Sequence, residues 1–223
     1  MAVTTVCVFC ASSDAVASDH RGTARALGTA IAREGWSLMY GGGNIGLMGE
    51  VARAALDAGA HVTGVIPHLL ANREVALEEV SRLVRTDTMR ERKALMDEGS
   101  DAFLVLPGGI GTLEEVVEIL TLKQLGYHDR PIILLDPTGY WDPLLALLER
   151  MVEQGLADPE LTRLLESVDD VQGAIKAVRE QHGAQTGDPS DVALELETGD
   201  ASAEAAREVR EAHAGEEVSH PPT

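Results

Sequence analysis

The sequence predicts an α/β protein built on a single doubly wound parallel sheet, and two observations support that fold class. Short, mostly apolar runs of four to seven residues, each the length of one buried strand, alternate with longer runs whose apolar residues recur at helical spacing. Several of the apolar runs end in glycine-rich turns that lead directly into a helix. Strands that alternate with helices pair in parallel, because each helix returns the chain across one face of the sheet.

The predicted elements follow one another closely along the chain. Strands are predicted over residues 3–9, 37–40, 62–66, 102–106 and 132–135, with a short apolar stretch at 83–84. Helices are predicted around residues 24–31 and 47–56, from Thr88 onwards, and over 112–125, 141–154 and 171–178. In such folds ligands bind beyond the carboxyl ends of the strands, so the loops after Phe9, Tyr40, Ile66 and Leu106 are predicted to form one binding edge.

Composition favours a globular body followed by an acidic tail. The 223 residues are 44% hydrophobic and 3% aromatic, which predicts a largely aliphatic core for one domain over residues 1–182. Residues 183–223 carry ten acidic and two basic side chains and little apolar periodicity, which predicts a disordered acidic tail.

The formal net charge of −19 argues against nucleic acid or an anionic membrane as a partner, because both would repel this chain. No apolar run approaches the length of a membrane span, and the first residues enter a strand without a secretory pattern. We therefore expect a cytoplasmic protein that binds neither nucleic acid nor a membrane.

Cys7 and Cys10 are the only cysteines, and their C-x-x-C spacing permits a redox pair or half of a zinc site. Cys7 lies inside the first apolar strand and the chain has no second cysteine pair, so we expect both to be reduced, structural residues. The seven histidines are scattered along the sequence and form no metal-ligand pattern. The sequence therefore predicts no metal site.

The stretch from Pro107 to Glu115, Pro-Gly-Gly-Ile-Gly-Thr-Leu-Glu-Glu, joins a predicted buried strand to an amphipathic helix. Glycines let the backbone approach a ligand closely, and the N–H groups and dipole of a helix N-terminus attract an anion such as phosphate. The same residues also fit a capping box, in which the side chains of Thr112 and Glu115 only satisfy helix N–H groups. The spacing alone leaves both interpretations open.

Arg92 lies on the apolar face of the helix that begins near Thr88, in one stripe with Met89, Leu95 and Met96 at 100° per residue. A guanidinium on an apolar face is costly unless it meets a carboxylate or a phosphate. Either Arg92 snorkels from the edge of a core helix, or it points into an anion site.

Arg92-Lys93 followed by Pro-Gly-Gly-x-Gly-Thr-x-x-Glu resembles the signature of the LOG (Lonely Guy) family. The resemblance runs from about residue 6 to residue 178. It includes Val-Cys-Val-Phe-Cys-Ala-Ser-Ser at 6–13, Tyr-Gly-Gly-Gly at 40–43, Gly-Leu-Met-Gly at 46–49, Gly-Val-Ile-Pro at 64–67 and Arg-Glu at 73–74. The chain departs from the family pattern at Arg90, where the family usually has His, and at Ala11, where it often has Gly.

The resemblance implies a Rossmann-like fold, at least a homodimer, and the hydrolysis of nucleoside 5′-monophosphates, including AMP and cytokinin ribotides, to a free base and ribose 5-phosphate. Such cleavage develops positive charge on the ribose, so a carboxylate near C1′ would stabilise it and place a water molecule. We expect Glu115 in that role, with Glu114 as its rival, and Arg92 at the ribose phosphate or the transition state. The resemblance adds Glu74 and Thr121 as substrate contacts.

The catalytic residues are therefore predicted to be Arg92 and Glu115. The predicted substrate-binding residues are Ser13, Gly42, Gly43, Glu74, Lys93, Gly108, Gly109, Ile110, Gly111, Thr112, Leu113, Glu114 and Thr121.

Other functional classes fit the sequence less well. The pattern Gly41-x-Gly43-x-x-Gly46 matches a dinucleotide site, but it follows the second strand and no acidic residue ends the next one, so we interpret it as a wall of the nucleotide pocket. Pyridoxal phosphate chemistry is sometimes attributed to this family, yet none of the three lysines has an evident cofactor setting, and we expect no cofactor. The remaining alternative is a non-catalytic nucleotide or molybdenum-cofactor carrier of the same fold.

Overall fold

The computed structural model describes residues 3–71 and 76–185. Seven strands are present in this part of the chain: β1 (Thr5–Phe9), β2 (Ser37–Tyr40), β3 (Val62–Pro67), β4 (Arg82–Thr86), β5 (Ala102–Val105), β6 (Ile132–Leu135) and β7 (Glu166–Val168). The helices are α1 (Ser18–Arg33), α2 (Gly46–Asp57), α3 (His68–Ala71), α4 (Met89–Glu98), α5 (Ile110–Gln124), α6 (Asp142–Glu153) and α7 (Val171–Gln185), with a 3₁₀ turn at Leu161–Arg163.

All seven strands pair in parallel, in the order β4-β3-β2-β1-β5-β6-β7, so the predicted fold class is confirmed. β1 lies at the centre, with Val8 opposite Tyr40 of β2 on one side and opposite Leu104 of β5 on the other. The strand order reverses between β1 and β5. In open α/β sheets the crevice at this reversal is where ligands bind.

The helices cover both faces of the sheet and enclose two hydrophobic cores. Val6 and Val8 of β1 point into the core that includes apolar residues of α1, α2 and α7. Cys7 and Phe9 point to the opposite face, where α4, α5 and α6 contribute the core residues. This alternation follows from the two-residue period of a strand, and it explains why the strands are apolar throughout rather than at every second position.

Both cysteines are buried free thiols, as the sequence predicts. Burial raises the pKa of Cys7 and of Cys10, and the nearby carboxylate of Glu115 raises both further. Thiols in such a setting stay protonated and are poor nucleophiles and metal ligands. They act as small apolar residues of the core.

The structure differs from the predicted elements mainly at the edges of the sheet. β4 extends over five residues where the sequence shows only two apolar ones, and β7, Glu-Ser-Val, is not predicted at all. Edge strands are exposed and need no apolar run, so their sequences carry little signal.

The predicted tail lies outside the described residues from 186 onwards, and α7 ends at Gln185. Among the described helices, none has the length and hydropathy that crossing a membrane requires.

Candidate active site

α4 begins with a reciprocal cap that fixes the direction of its first turns. The Thr88 hydroxyl accepts a hydrogen bond from the Glu91 N–H (3.1 Å), and the Glu91 carboxylate accepts one from the Asp87 N–H (2.9 Å). These bonds satisfy N–H groups that have no partner within the helix. Arg92 follows directly, and its side chain points inward between the sheet and α5.

The Arg92 guanidinium is buried and held on three sides. Its Nε donates to the Val65 carbonyl of β3 (3.1 Å), and its Nη1 lies 3.0 Å from Oε1 of Glu115 on α5. A Cβ on Gly41 would lie only 2.2 Å from Nη2, so the guanidinium packs against the bare backbone that follows β2. Each side chain of the ion pair is 9% exposed, which rules out a snorkelling arginine and identifies a carboxylate as its partner.

Of the two interpretations left open for Thr112 and Glu115, the structure excludes the capping box. α5 begins at Ile110 with Gly109 as its N-cap, and no side chain caps it, so Glu115 lies too far along the helix to reach the N-cap. Thr112 is buried instead and packs against Gly108, where a Cβ would lie 2.1 Å from the threonine hydroxyl oxygen. The first helical N–H groups therefore remain available to a ligand, as expected at an uncapped helix N-terminus.

Neighbouring loops support the glycine turn before α5. The Ala11 N–H donates to the Pro107 carbonyl (3.2 Å), and the Ala11 carbonyl accepts the Leu47 N–H of α2 (2.9 Å). The Tyr140 hydroxyl donates to the Gly108 carbonyl (2.5 Å) from the turn between β6 and α6. The turns after β1, β5 and β6 thus meet at the carboxyl edge of the sheet, where the sequence predicts the site.

A cavity of about 340 Å³ opens at this edge, within the range of small-molecule sites. Its wall contains the start of α5, the Arg92–Glu115 pair, and residues of α2, α3 and β1. The lining residues are Val8, Phe9, Cys10, Ser12, Gly41, Met48, Leu70, Met89, Arg92, Met96, Gly109, Ile110, Gly111, Thr112 and Glu115. It combines an anion-binding helix terminus with one buried carboxylate, which suits a ligand carrying a phosphate next to a centre that becomes positive.

A second cavity, of about 330 Å³, lies between α4 and α5 on the other side of the ion pair. Phe9 and Glu115 line both cavities, so the carboxylate lies where the two adjoin. Arg90 and Lys93 line only the second one. Within the described ranges, no three His, Cys, Asp or Glu side chains lie close enough to hold a metal ion.

Lys93 and Glu114, both predicted to bind substrate, form an ion pair with each other, and Lys93 also pairs with a second carboxylate. Lys93 Nζ contacts the carboxylate of Glu114 and that of Glu118, the latter at 2.8 Å. The Glu114 side chain is 52% exposed, and it does not line either cavity. The structure therefore places this pair beside the cavity at the glycine turn, whereas it places Arg92 and Glu115 in its wall.

Several other predicted residues surround the first cavity without lining it. Gly42 and Gly43 lie behind Gly41, where Gly42 accepts the Leu77 N–H (3.1 Å). Ser13 accepts the Ala15 N–H, and its neighbour Ser12 lines the cavity instead. Gly108 packs against Thr112, and Leu113 packs against the hydrophobic core next to α5. Thr121 is exposed on α5, and Glu74 lies outside the described residues.

Three groups that hold the site together are not predicted from sequence. Gly41 lies in the motif interpreted as a wall of the pocket and does line the cavity, but the motif does not predict that it packs against the Arg92 guanidinium. The Val65 carbonyl belongs to β3, and a side-chain pattern does not indicate which backbone carbonyl of a strand will accept a hydrogen bond from Arg92. Tyr140 lies four residues after the buried Asp136, which accepts its N–H. That spacing indicates a tight turn, but it does not predict that Tyr140 contacts another loop.

The sequence model of a protein family described as "Possible lysine decarboxylase" matches residues 48–178, more than half of the chain. The lysines do not fit the chemistry in that description, which requires a lysine that forms a Schiff base with pyridoxal phosphate. Lys93 pairs with two carboxylates, Lys123 donates to the Arg130 carbonyl (2.8 Å), and Lys176 lies on the exterior of α7 near Glu180.

Solved structures share the fold at low sequence identity. The molybdenum cofactor carrier protein of Chlamydomonas reinhardtii is 24% identical, with a TM-score of 0.62 over 81% of this chain and 98% of its own. The molybdenum cofactor binding protein of Rippkaea orientalis is 23% identical, with a TM-score of 0.60 over the same shares. At these identities the likeness shows the fold alone.

Curated relatives are much closer in sequence. The cytokinin riboside 5′-monophosphate phosphoribohydrolase of Mycobacterium tuberculosis is 44% identical over 173 residues, 78% of this chain and 92% of its own length. The Arabidopsis thaliana enzyme LOG3, of the same name, is 42% identical over 175 residues, 78% of this chain and 81% of its own length. The motifs around Arg92 and Glu115 and these matches lead to one conclusion: the chain belongs to the LOG family.

Proposed function

We propose that this protein hydrolyses the N-glycosidic bond of a purine nucleoside 5′-monophosphate, AMP or a cytokinin ribotide, to the free base and ribose 5-phosphate. The observation that carries the proposal is the buried Arg92–Glu115 pair, 3.0 Å apart, in the wall of a cavity that also contains the N-terminus of α5. The names of the curated relatives describe the same reaction.

The 5′-phosphate binds at the glycine turn before α5. Gly109, Ile110 and Gly111 line the cavity and lie at the N-terminus of a fifteen-residue helix. Their N–H groups have no acceptor within the helix, and the helix dipole favours negative charge at this end. The net charge of −19 makes such a local site necessary, because the field of the whole protein repels a phosphate.

Glu115 stabilises the ribose as the base leaves. When the bond between C1′ and the base nitrogen breaks, its electrons go to the base, and the ribose acquires oxocarbenium character. A carboxylate in a buried wall opposes that charge more strongly than one in water. Water then adds its oxygen to C1′; of its two protons, one stays on the new hydroxyl and the other balances the departing base.

Arg92 keeps the carboxylate in position. Its three contacts, to the Val65 carbonyl, to Glu115 and against Gly41, leave the guanidinium one orientation. A buried carboxylate without a compensating charge would be strongly unfavourable. Arg92 therefore supports both the burial and the direction of Glu115, and its charge lies next to the reacting centre.

The experiment is incubation of the purified protein with AMP in excess chelator, followed by chromatography for adenine and ribose 5-phosphate. We expect both products in equal amounts, and a far lower kcat/KM for adenosine, which lacks the phosphate. A carrier that only binds nucleotides or cofactors would release no base. Activity that disappears in chelator and returns with a divalent metal, or equal kcat/KM for AMP and adenosine, would contradict the proposed site.

We also propose that the protein functions as a homodimer through the exposed face of α5. Ile110, Val117 and Leu125 are exposed apolar residues, and with Thr121 they form one stripe at helical spacing. Thr121 lines neither cavity of its own chain, so its predicted substrate contact requires a second copy. The buried residues of α5 pack in the core of the same chain, so only the exposed stripe is available to contact a partner.

Light scattering tests the dimer and its independence from the tail. We expect dimers both for the whole chain and for a version that ends near Gln181, because the buried residues of α7, Ala174 to Val178, are retained. Val117→Asp places a charge in the stripe and should yield monomers. An active monomeric wild type would overturn the dimer, and dissociation after truncation would show that the tail takes part.

A further inference from the structure

We propose that Tyr140 is a positioning residue for the phosphate site: through the Gly108 carbonyl, it aims the Gly109 N–H into the cavity. The inference rests on the proposed function of the same loop and goes beyond it. The hydroxyl of Tyr140 donates to the Gly108 carbonyl at 2.5 Å, across from the turn between β6 and α6. Neither Tyr140 nor Gly108 lines the cavity, whereas Gly109 does.

The planarity of the peptide bond connects the two groups. In a trans peptide the carbonyl of one residue and the N–H of the next point in opposite directions. The Gly108 carbonyl faces Tyr140, outside the cavity, so the Gly109 N–H on the opposite side of the same peptide is turned towards the cavity. Glycines at 108 and 109 allow many orientations of this peptide, so a fixed direction needs an external partner. A hydrogen bond at the carbonyl also polarises the amide and strengthens its N–H as a donor.

A buried carboxylate holds Tyr140 in place. Asp136 accepts the N–H groups of Thr138 (3.3 Å), Tyr140 (2.9 Å) and Trp141 (2.6 Å), and the Thr138 hydroxyl (3.2 Å). Burial raises the pKa of Asp136, but these hydrogen bonds lower it by more, so its pKa lies below the usual range. The Tyr140 ring packs edge-on against the buried Trp141, 4.9 Å between centroids. The hydroxyl is thus fixed from both its backbone and its ring.

Tyr140→Phe tests the inference, because it removes the hydroxyl and keeps the ring on Trp141. We expect the dissociation constant of inorganic phosphate, measured by calorimetry, to rise about fivefold, the scale of one hydrogen bond. KM for AMP should rise by a similar factor, kcat should change less than about twofold, and kcat/KM for adenosine should stay unchanged. Tyr127→Phe, at an exposed tyrosine, is the matched control and should behave as wild type.

The outcomes separate this inference from the proposed reaction. Unchanged phosphate affinity in Tyr140→Phe, or equal losses for AMP and adenosine, would overturn the positioning role, since a merely structural defect affects both substrates. If the wild type cleaves no AMP but Tyr140→Phe still weakens phosphate binding, the reaction fails and the positioning role stands. A wild type that binds no phosphate would overturn the positioning role, whereas cleavage of AMP tests the reaction independently.

Discussion

Two consecutive cations of α4, Arg92 and Lys93, form ion pairs with carboxylates of α5, and these ion pairs differ in burial and in geometry. Arg92 and Glu115 are each 9% exposed and lie in the wall of the cavity. Lys93 pairs with Glu114, which is 52% exposed, and with Glu118. A step of one residue along a helix rotates the side chain by about 100°. That step on α4 and on α5 moves from the buried ion pair to the more exposed one.

The residue types match these two environments. The planar guanidinium of Arg92 makes fixed contacts with a carbonyl and a carboxylate at once, whereas the ammonium of Lys93 is a point charge that can alternate between two carboxylates. Breaking a buried pair leaves an uncompensated charge and costs about 3–5 kcal/mol, while a surface pair contributes about 0–1 kcal/mol. We therefore expect the first pair to determine activity and the second to make a small contribution to stability.

The largest effect is expected from breaking the buried pair. Glu115→Gln and Arg92→Ala should each reduce kcat for AMP by at least about 10², the scale of losing an electrostatic or acid–base group. Glu114→Gln is the matched control one residue away and should keep most of the activity. Melting curves establish that the variants are folded under assay conditions. Near wild-type turnover in Glu115→Gln, or equal losses in both glutamate variants, would contradict the assignment.

A reciprocal exchange of the two cations sharpens the comparison at an intermediate effect. Arg92→Lys should lower kcat/KM by about tenfold or more, because one ammonium does not reproduce the bonds to Val65 and Glu115 together. Lys93→Arg keeps the charge between Glu114 and Glu118 and should change kcat/KM by less than about twofold. Steady-state kinetics of both variants decide this. If Arg92→Lys and Lys93→Arg lower kcat/KM equally, the contacts that only a guanidinium makes in the buried pair are not required for activity.

The smallest effect is expected from Lys93→Met. Burial lowers the pKa of Lys93, but the hydrogen bonds and charges of Glu114 and Glu118 raise it by more, so the net shift is upwards. Its stabilisation, below about 1 kcal/mol, should be fully present below the unfolded pKa of about 10.4 and disappear as the pH rises through the folded pKa.

Urea unfolding of the wild type and of Lys93→Met, at pH 7 and above pH 11, measures how much the charged Lys93 contributes to the free energy of unfolding at each pH. kcat/KM for AMP should remain within about threefold of the wild type. A tenfold loss of kcat/KM would show that Lys93 contacts substrate after all, through the second cavity that it lines.

The central fold could be predicted because its signals are local. Strands buried on both faces read as continuous apolar runs, and a guanidinium on an apolar helix face requires an anionic partner. The wheel position of Arg92 therefore leaves two interpretations, a snorkelling side chain or one pointed into an anion site, and the buried contact with Glu115 excludes the first. The edge strand β7 gave no such signal, because a strand with one free edge tolerates polar residues.

The finer geometry of the site depends on contacts between distant segments, which no local pattern specifies. Thr112-x-x-Glu115 and Thr88-x-x-Glu91 both fit the capping-box pattern, but only Thr88 caps its helix, because α5 begins two residues before Thr112. Gly41 rather than its neighbours faces the guanidinium, and Tyr140 reaches the glycine turn from another loop. Spacing within a motif identifies the loop but not which of its residues face the ligand.

The central position of β1 has a consequence for how this chain is synthesised. β1 pairs with β2 early in the sequence, but its other neighbour is β5, through contacts such as Val6 with Ala102. Such distant pairings carry a loop-closure cost and form late. Glu115 follows β5 in the sequence, so the Arg92–Glu115 pair can form only after α5 has been synthesised. The cavity wall at the start of α5 cannot be assembled before that point of synthesis, so no truncated chain that ends before Glu115 contains the site.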